Sequence, residues 1–327
     1  MKITLVGPGL MPIPPTGWGA VEILIWDYKL SLEKLGHEVQ IVNTQDLNEA
    51  LRQINSFDPD FVHIQYDDYV YLYPHLNCPC AVTTHFAYLE RSEMMGPYKQ
   101  RVFDAYSKIC PNVFGLSKGI NQVYEDEGVP SNKLFLNPNG VNLGNFRTTS
   151  KPKYSDRSIY LATIDHRKRQ FLFQSIESLW YAGNVRDNRF DETKNYLGEW
   201  DKPHLYENLT DYGNLVLLSD GEAHPLVCME SLAAGLGVVV SEWGRANLDL
   251  EKEFITVISE DKISDINYIE DQIVKNREYS ISHREEILEY AKQFDWEQVI
   301  KNYYLPNIEK VMSKKKIAIN FIGTGNY

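Results

Sequence analysis

The fold is decided by one stretch in the second half of the chain, Asp220-Gly-Glu-Ala-His-Pro-Leu-Val-Cys-Met-Glu-Ser-Leu-Ala-Ala-Gly-Leu-Gly-Val-Val-Val240. Apolar runs at 214–218 and 238–241 predict buried strands on either side of it. The apolar spacing within 226–234 predicts a helix, and Pro225 fits the first helical position, where its missing N–H costs nothing. The stretch therefore predicts a strand, loop, helix and strand, the repeating unit of a parallel sheet.

Two carboxylates frame this predicted helix. Glu222 lies in the loop before it, whereas Glu230 lies inside it among apolar neighbours. Because an unpartnered buried carboxylate is costly, Glu230 is either solvated or accepts hydroxyl hydrogen bonds. The helix N-terminus beside Glu222 favours an anion such as phosphate. Carboxylates around an anion site suit a ligand with both hydroxyls and phosphate, which is the chemistry of a nucleotide sugar.

The same alternation of strands and helices runs through both halves of the chain. We predict strands at 3–6, 38–42, 61–64, 81–84, 112–116, 158–163 and 179–182, and helices at 20–35, 98–109, 167–175 and 204–212. The polar run 147–156 predicts a linker between two α/β domains, 1–149 and 150–299. Because ligands of open parallel sheets bind beyond the carboxyl ends of the strands, we expect the domains to face a cleft.

The end of the chain is expected to be helical and then to change character. The pairs Ser282 with Glu285 and Asp295 with Gln298 have capping-box spacing, which predicts helices reaching about residues 293 and 312. The apolar run 317–322, followed by Gly323 and Gly325, predicts a strand and a glycine turn. We therefore expect 314–327 to be the start of a further domain.

Composition excludes several classes of function. The chain has 327 residues and a formal net charge of −12, which disfavours nucleic acid as the main partner. The longest apolar runs fall far short of a membrane span. Gly7 and Pro8 interrupt the first apolar run too early for a signal peptide, so a cytoplasmic location is expected. The basic run 166–169 is either a solvated helix face or a local anion site.

A glycine-rich loop follows the first predicted strand. Gly17 and Gly19 would let the backbone approach a ligand, and the helix from Ala20 would point its free N–H groups at an anion. The alternative is a turn of purely structural use. The dinucleotide fingerprint Gly-x-Gly-x-x-Gly is absent, which disfavours an NAD-linked dehydrogenase.

Taken together, these motifs resemble the retaining GT-B glycosyltransferases of family 4 over residues 1–313. The resemblance rests on Glu222 and Glu230 with the Ala-Ala-Gly-Leu-Gly run after them, and on further landmarks in the family's order: Gly17-Trp-Gly19, 35–39, 58–63, Thr84-His85-Phe86, Leu116-Ser117 and Asn139-Gly140-Val141. It implies a GT-B fold of two Rossmann-like domains. It also implies that the helix at about 300–313 rejoins the N-terminal, acceptor-side domain, while 150–299 binds the nucleotide sugar.

The resemblance also implies a role for each site residue. Lys168 would contact the donor diphosphate, Glu230 the ribose and Glu222 the donor sugar. His85 would lie by the transferred sugar, so the catalytic set would be His85, Glu222 and Lys168. The remaining donor-binding positions would be Gly17, Gly19, Arg167, Gly198, His224, Leu226 and Val227. It implies a hexosyltransferase-type enzyme without a metal or other cofactor, using a donor such as a UDP- or GDP-sugar and a carbohydrate or lipid-linked acceptor.

Two positions depart from the family pattern. The family places an arginine near the end of the strand before its lysine, where this chain has Ala162 and Thr163. Arg167 and Arg169 are the candidates for the second cation. The family's Gly-Phe-Gly is replaced by 223–225, and Pro225 cannot donate a backbone N–H.

Other functions stay open from the sequence. A nucleotide-sugar epimerase shares the architecture, and a non-catalytic nucleotide-sugar-binding module is a third possibility. His63, near a strand end, is expected to be a structural histidine whose ring nitrogens are satisfied.

Overall fold

The computed structural model describes residues 1–15 and 19–323, with the backbone alone for Ser92 and residues 315–323. Contacts divide the chain into two compact units. The N-terminal unit comprises Met1–Asn139 and the residues from Trp296 onward, and the C-terminal unit comprises Gly140–Asp295.

A parallel sheet of six strands forms the centre of the N-terminal unit, in the order β2-β1-β3-β4-β5-β6. Its elements, in chain order, are β1 (Lys2–Gly7), α1 (Ala20–Lys34), β2 (Glu38–Asn43), α2 (Leu47–Phe57), β3 (Phe61–Ile64), β4 (Cys80–Val82), α3 (Pro97–Ile109), β5 (Asn112–Gly115), α4 (Lys118–Asp126) and β6 (Leu134–Leu136). Every residue of β3 and β5 is buried, as is typical of parallel strands covered on both faces.

Local signals explain where several of these helices begin. The Asp46 carboxylate caps α2 by accepting from the amides of Asn48 and Glu49 at 2.9 and 3.2 Å. The Ser117 hydroxyl caps α4 through the Ile120 amide at 3.0 Å. Such caps satisfy amides that have no carbonyl partner inside the helix.

The C-terminal unit is built on a parallel sheet of five strands, in the order β11-β10-β9-β7-β8. Its elements are β7 (Tyr154–Leu161), β8 (Leu179–Ala182), α5 (Lys202–Asn208), β9 (Tyr212–Leu217), α6 (Leu226–Ala233), β10 (Gly237–Ser241), β11 (Ile255–Ile258), α7 (Ile266–Ser282) and α8 (Arg284–Ala291). All residues of β9 and β10 are buried. The predicted strand, loop, helix and strand around α6 is confirmed.

Two expectations in this unit are wrong in detail. The predicted linker over 147–156 overlaps β7, which already begins at Tyr154. The predicted helix over 167–175 is instead a pair of short 3-10 turns, His166–Lys168 and Gln170–Leu172. Arg169 between them has a φ of 59°, and this left-handed backbone interrupts any continuous helix.

The C-terminal helices differ most from the sequence-based expectation. Ser282 does not cap α8, because its hydroxyl donates to the carbonyls of Glu278 and Tyr279, in the last turn of α7. The chain continues as α9 (Trp296–Val299), a π-helical turn (Ile300–Tyr304) and α10 (Leu305–Gly323). The predicted strand over 317–322 is therefore wrong, since these residues lie in α10.

Candidate functional site

The sheet order of the C-terminal unit contains a topological switch point. From β7 the chain moves to β8 on one side, whereas β9, β10 and β11 follow on the other side. At such a point the loops after the two central strands diverge and leave a crevice for ligands. The loops after β7 and β9 carry residues 162–170 and 218–225. They include four of the ten predicted donor-binding residues: Arg167, Lys168, Glu222 and His224.

These two loops bring together a buried cluster of charges. The Lys168 ammonium forms an ion pair with the Glu222 carboxylate, and Arg167 Nη1 lies 3.1 Å from the same Glu222 Oε1. Arg167 Nη1 also donates to the Gly221 carbonyl at 2.7 Å. Lys168 is 8% exposed and Glu222 is 9% exposed. Two cations therefore share one carboxylate at the switch point.

Burial and neighbouring charges shift the pKa of both members of this ion pair, Lys168 and Glu222. Burial lowers the pKa of Lys168 from its usual value, although the Glu222 charge opposes the shift. Burial raises the pKa of Glu222, but the charges of Lys168 and Arg167 outweigh that effect and leave it lowered. Glu222 is consequently ionised at neutral pH, and it faces two basic side chains, Lys168 and Arg167.

Arg169 belongs to a different network. Its guanidinium pairs with Asp220 and forms two contacts of 3.0 Å with the Glu260 carboxylate. Of the two arginines proposed as the second cation, Arg167 lies beside Lys168 and Glu222, whereas Arg169 ties its own loop to the segment after β11.

A buried tyrosine holds the two loops in register. The Tyr160 hydroxyl, on β7, donates to the Lys168 carbonyl and accepts from the Leu218 amide at 2.9 Å. A main-chain bond of 2.8 Å from the Asp220 amide to the Arg167 carbonyl joins the loops a second time. The backbone that presents Lys168 is therefore fixed to the end of β9.

Glu230 has a partner of its own. It lies on α6, is 8% exposed and forms an ion pair with Lys202 at the start of α5. Of the two states left open by the sequence, solvated or hydrogen-bonded, the structure shows a buried carboxylate satisfied by a cation. Cys228, on the same helix, is buried, and burial together with the charges of Glu222 and Glu230 raises the pKa of its thiol.

The start of α6 presents main-chain donors. Pro225 is the residue before the helix, one position earlier than predicted, and Leu226 and Val227 begin it. Amides in the first turn have no intrahelical acceptor, so those of Leu226 and Val227 are suited to an anion. His224 is buried, and burial lowers its pKa to about 3, so its imidazole is neutral.

Gly198 and Gly17 are two further glycines predicted to bind the donor. Gly198 has a φ of 81° and open space where a Cβ would lie, and its carbonyl accepts from the Gly183 amide at 3.0 Å. Gly17 lies outside the described residues.

In the N-terminal unit, the predicted residues lie at two places. Gly19 precedes α1 with a φ of 128°, a backbone conformation that strains any residue with a side chain. His85 follows β4, is half-buried, and its Nε2 lies 2.9 Å from Gln65 Oε1. Burial lowers the pKa of His85 to about 4. His63 is fully buried with bonds to Thr83 and Tyr304, which confirms that its ring nitrogens are satisfied.

Comparison with solved structures identifies the architecture. Sucrose-phosphate synthase from Thermosynechococcus elongatus matches with a TM-score of 0.71 and 15% identity, over 99% of this chain and 100% of that one. Anabaena HepE in complex with UDP and glucose matches with a TM-score of 0.66 and 12% identity, over 98% and 99%. The lipopolysaccharide outer core galactosyltransferase WaaB matches with a TM-score of 0.68 and 14% identity, over 96% and 100%.

These neighbours are GT-B glycosyltransferases. The chain has the GT-B fold. No family model matches the sequence, and no curated protein matches it. Within the described ranges, no helix has the length and apolar character needed to cross a membrane.

The sequence analysis did not identify three residues that contact the predicted site residues: Tyr160, Lys202 and Gln65. Tyr160 is one aromatic residue within an apolar strand, and Lys202 is one cation after a helix cap. Gln65 had a usable signal, since it directly follows the last residue of β3 and polar residues at the carboxyl ends of parallel strands face ligands.

Proposed function

We propose that the chain is a retaining glycosyltransferase that moves a sugar from a nucleotide-diphosphate sugar to a hydroxyl of a carbohydrate or lipid-linked acceptor. The observation that carries the proposal is the cluster of Lys168, Arg167 and Glu222 at the switch point of a GT-B sheet. Its two basic side chains and the adjacent amides of α6 provide the two features that stabilise a diphosphate.

In this account the diphosphate binds between Lys168 and the start of α6. Its negative charges compete with Glu222 for the Lys168 ammonium, while Arg167 keeps Glu222 ionised and in place. Glu222 then accepts hydrogen bonds from hydroxyls of the donor sugar, because an ionised carboxylate offers only acceptor sites.

The ribose is assigned to Glu230. A ribose diol offers two donors to one carboxylate, and Lys202, its ion-pair partner, holds the Glu230 side chain in place until they arrive. The neighbour HepE has been solved with UDP-glucose, so UDP-sugars are the first donors to test, with GDP-sugars next.

The transfer step requires a leaving group and a proton acceptor. The bond between the anomeric carbon and the phosphate oxygen breaks, and a bond to the acceptor oxygen forms on the same face of the sugar. The proton of the acceptor hydroxyl passes to the departing phosphate oxygen, so the step balances without a protein base. Lys168, Arg167 and the helix amides stabilise the charge that develops on the diphosphate, which is work a metal ion performs elsewhere.

The N-terminal unit is assigned to the acceptor side. We assign His85 to the transferred sugar, and Gly19 with the amides of α1 to the diphosphate or the acceptor.

A non-catalytic nucleotide-sugar-binding module is the second candidate. It is favoured by Pro225, which precedes α6 and removes one backbone donor, and by the charge of Lys168 being already paired with Glu222. Such a module binds donors but does not turn them over.

The test is a thermal-shift panel of UDP, GDP, ADP and TDP and their sugars, followed by product analysis. A donor at a hundred times its Kd should add about 2.7 kcal/mol to the free energy of unfolding. Lys168→Met should lose that shift, and Lys194→Met should keep it, because Lys194 is an exposed lysine of the same unit.

Product analysis then separates the candidates. Transfer with retained anomeric configuration, read by proton NMR, supports the enzyme. Binding without turnover supports the module, and inverted configuration contradicts the retaining mechanism.

A further inference from the structure

A continuous chain of hydrogen bonds crosses the N-terminal sheet near the carboxyl ends of its strands. Thr83 Oγ1 lies 2.9 Å from the Phe114 carbonyl oxygen and 2.8 Å from His63 Nε2. His63 Nδ1 lies 3.2 Å from Gln65 Nε2, and Gln65 Oε1 lies 2.9 Å from His85 Nε2. The chain thus connects a backbone carbonyl on β5 to the imidazole of His85.

The carbonyl at one end sets the direction of every bond. A carbonyl oxygen only accepts, so the Thr83 hydroxyl must donate its single proton to Phe114. The Thr83 oxygen can then only accept from His63, which places a proton on His63 Nε2. In a neutral ring this leaves His63 Nδ1 as an acceptor.

Gln65 extends the same order of donors and acceptors to His85. The Tyr304 hydroxyl also lies 3.2 Å from His63 Nδ1, so both neighbours of that nitrogen can donate to it. The amide nitrogen of Gln65 must face His63, and its oxygen must face His85. His85 Nε2 therefore carries a proton and donates it to Gln65.

Both rings are neutral, because burial lowers the pKa of His63 to about 3 and that of His85 to about 4. A neutral His85 with its proton on Nε2 has a lone pair on Nδ1. Among the residues that the structure describes, no hydrogen bond reaches His85 Nδ1.

We propose that Thr83, His63 and Gln65 are positioning residues that hold His85 in its Nε2–H tautomer, so that Nδ1 accepts a hydrogen bond from a sugar hydroxyl of the substrate. The assignment of a sugar hydroxyl rests on the proposed function, whereas the assignment of the tautomer does not. Gln65 joins the fully buried His63 to the partly buried ring of His85 and so fixes the orientation of that ring.

The direct experiment is nitrogen NMR of the full chain with ¹⁵N-labelled histidine at neutral pH. The two ring nitrogens of His85, assigned through the His85→Gln variant, should show one protonated Nε2 and one unprotonated Nδ1. Signals of the Nδ1–H tautomer, or of the mixture of tautomers seen in free histidine, overturn the proposal without any further variant.

Two variants of Thr83 then test whether the chain of hydrogen bonds sets the tautomer of His85 from a distance. Thr83→Val keeps the shape of the side chain but removes the hydroxyl, so His63 Nε2–H loses its acceptor. Nothing then determines which atoms donate and which accept along the hydrogen bonds to His85. His85 should then leave the pure Nε2–H tautomer. Thr83→Ser retains a hydroxyl and should keep the wild-type signals. Unchanged His85 signals in Thr83→Val contradict the proposed role of Thr83.

Turnover provides a second readout that depends on the proposed function. Donor turnover should fall about three- to tenfold in Thr83→Val and Gln65→Leu, the effect of losing one neutral hydrogen bond. Donor turnover should be unchanged in Thr83→Ser and in Gln40→Leu. Gln40 is the matched control, because its two hydrogen bonds in the N-terminal unit go to Thr4 and the Gln53 carbonyl and not to His85. If the wild type shows no turnover with any donor, the proposed function fails while the tautomer result stands. Equal loss in Gln65→Leu and Gln40→Leu indicates a merely structural effect and contradicts the positioning role.

Discussion

Lys168 and Glu222, which lie 54 residues apart in the chain, form an ion pair in which both side chains are buried. The loops after two adjacent strands bring them together, and Arg167 adds a second cation to the same carboxylate oxygen. Breaking a buried ion pair from one side leaves the other charge without its partner, which is more costly than removing both charges.

Lys168→Met should therefore destabilise the fold by about 1–3 kcal/mol, less than a fully isolated charge would, because Arg167 remains beside Glu222. The double variant Lys168→Met with Glu222→Gln should recover part of that loss. Urea denaturation of both single variants and the double variant measures the coupling. Additive losses would show that the two side chains do not interact.

The lowered pKa of Glu222 predicts a specific dependence of stability on pH. A carboxyl ionised more readily in the folded state stabilises the fold above its unfolded pKa of 4.5. That stabilisation is lost as the pH falls through the lower folded pKa. The difference in unfolding free energy between wild type and Glu222→Gln should thus be full at neutral pH and should narrow as the pH falls below 4.5. Denaturation at a series of pH values tests this, with Glu289→Gln, an exposed carboxylate, as the control. A difference that does not change with pH is incompatible with the assigned ion pair.

Tyr160 provides a prediction with a closely matched control. Tyr160→Phe removes the hydroxyl shared by the Lys168 carbonyl and the Leu218 amide, and an unpaired buried group costs about 1–3 kcal/mol. Tyr181 is also buried and stacks on Tyr160 at 6.0 Å, yet its hydroxyl has no hydrogen-bond partner in the described part of the chain. Tyr181→Phe should be neutral or stabilising. Calorimetric unfolding measures the change in stability of both variants. Equal destabilisation would argue against the bridging role of the Tyr160 hydroxyl.

Glu230 and Glu222 are expected to differ in what they bind. Glu230→Gln should weaken binding of bare UDP or GDP as well as of the sugar nucleotide, by about 1.5–3 kcal/mol, as for hydrogen bonds to a charged group. Glu222→Gln should reduce turnover but spare the bare nucleotide. Titration calorimetry with both variants separates the roles, using Glu289→Gln as the reference. If Glu230→Gln binds the bare nucleotide as wild type does, Glu230 is only the partner of Lys202.

The sequence predicted the parts of this protein that depend on local pattern. Apolar strands alternating with amphipathic helices identified the sheets, and the spacing of Glu222 and Glu230 around one helix identified candidate donor-binding residues. The partners of these residues were not predictable in the same way. Pairing between Lys168 and Glu222, or between Lys202 and Glu230, depends on which loops the strand order brings together.

The errors have specific causes. Residues 317–322 are apolar without a decisive period, so the same run fits a strand or the end of α10. Ser282 has the spacing of a cap, but its hydroxyl bonds backwards to α7. The 17-residue helix α7 was missed, although the Asp265 cap and buried Ile269 and Ile273 form a helical pattern.

We propose that Lys168 stabilises the diphosphate released from a nucleotide sugar. The most direct measurement is the release of nucleotide diphosphate from UDP-, GDP-, ADP- and TDP-sugars by wild type, Lys168→Met and Lys194→Met. Wild type and Lys194→Met should release the diphosphate from at least one donor. The rate in Lys168→Met should be about 10²–10³-fold lower, the size of effect found when one charge-stabilising group is removed. Release from no donor, or an equal rate in Lys168→Met, would contradict the proposal.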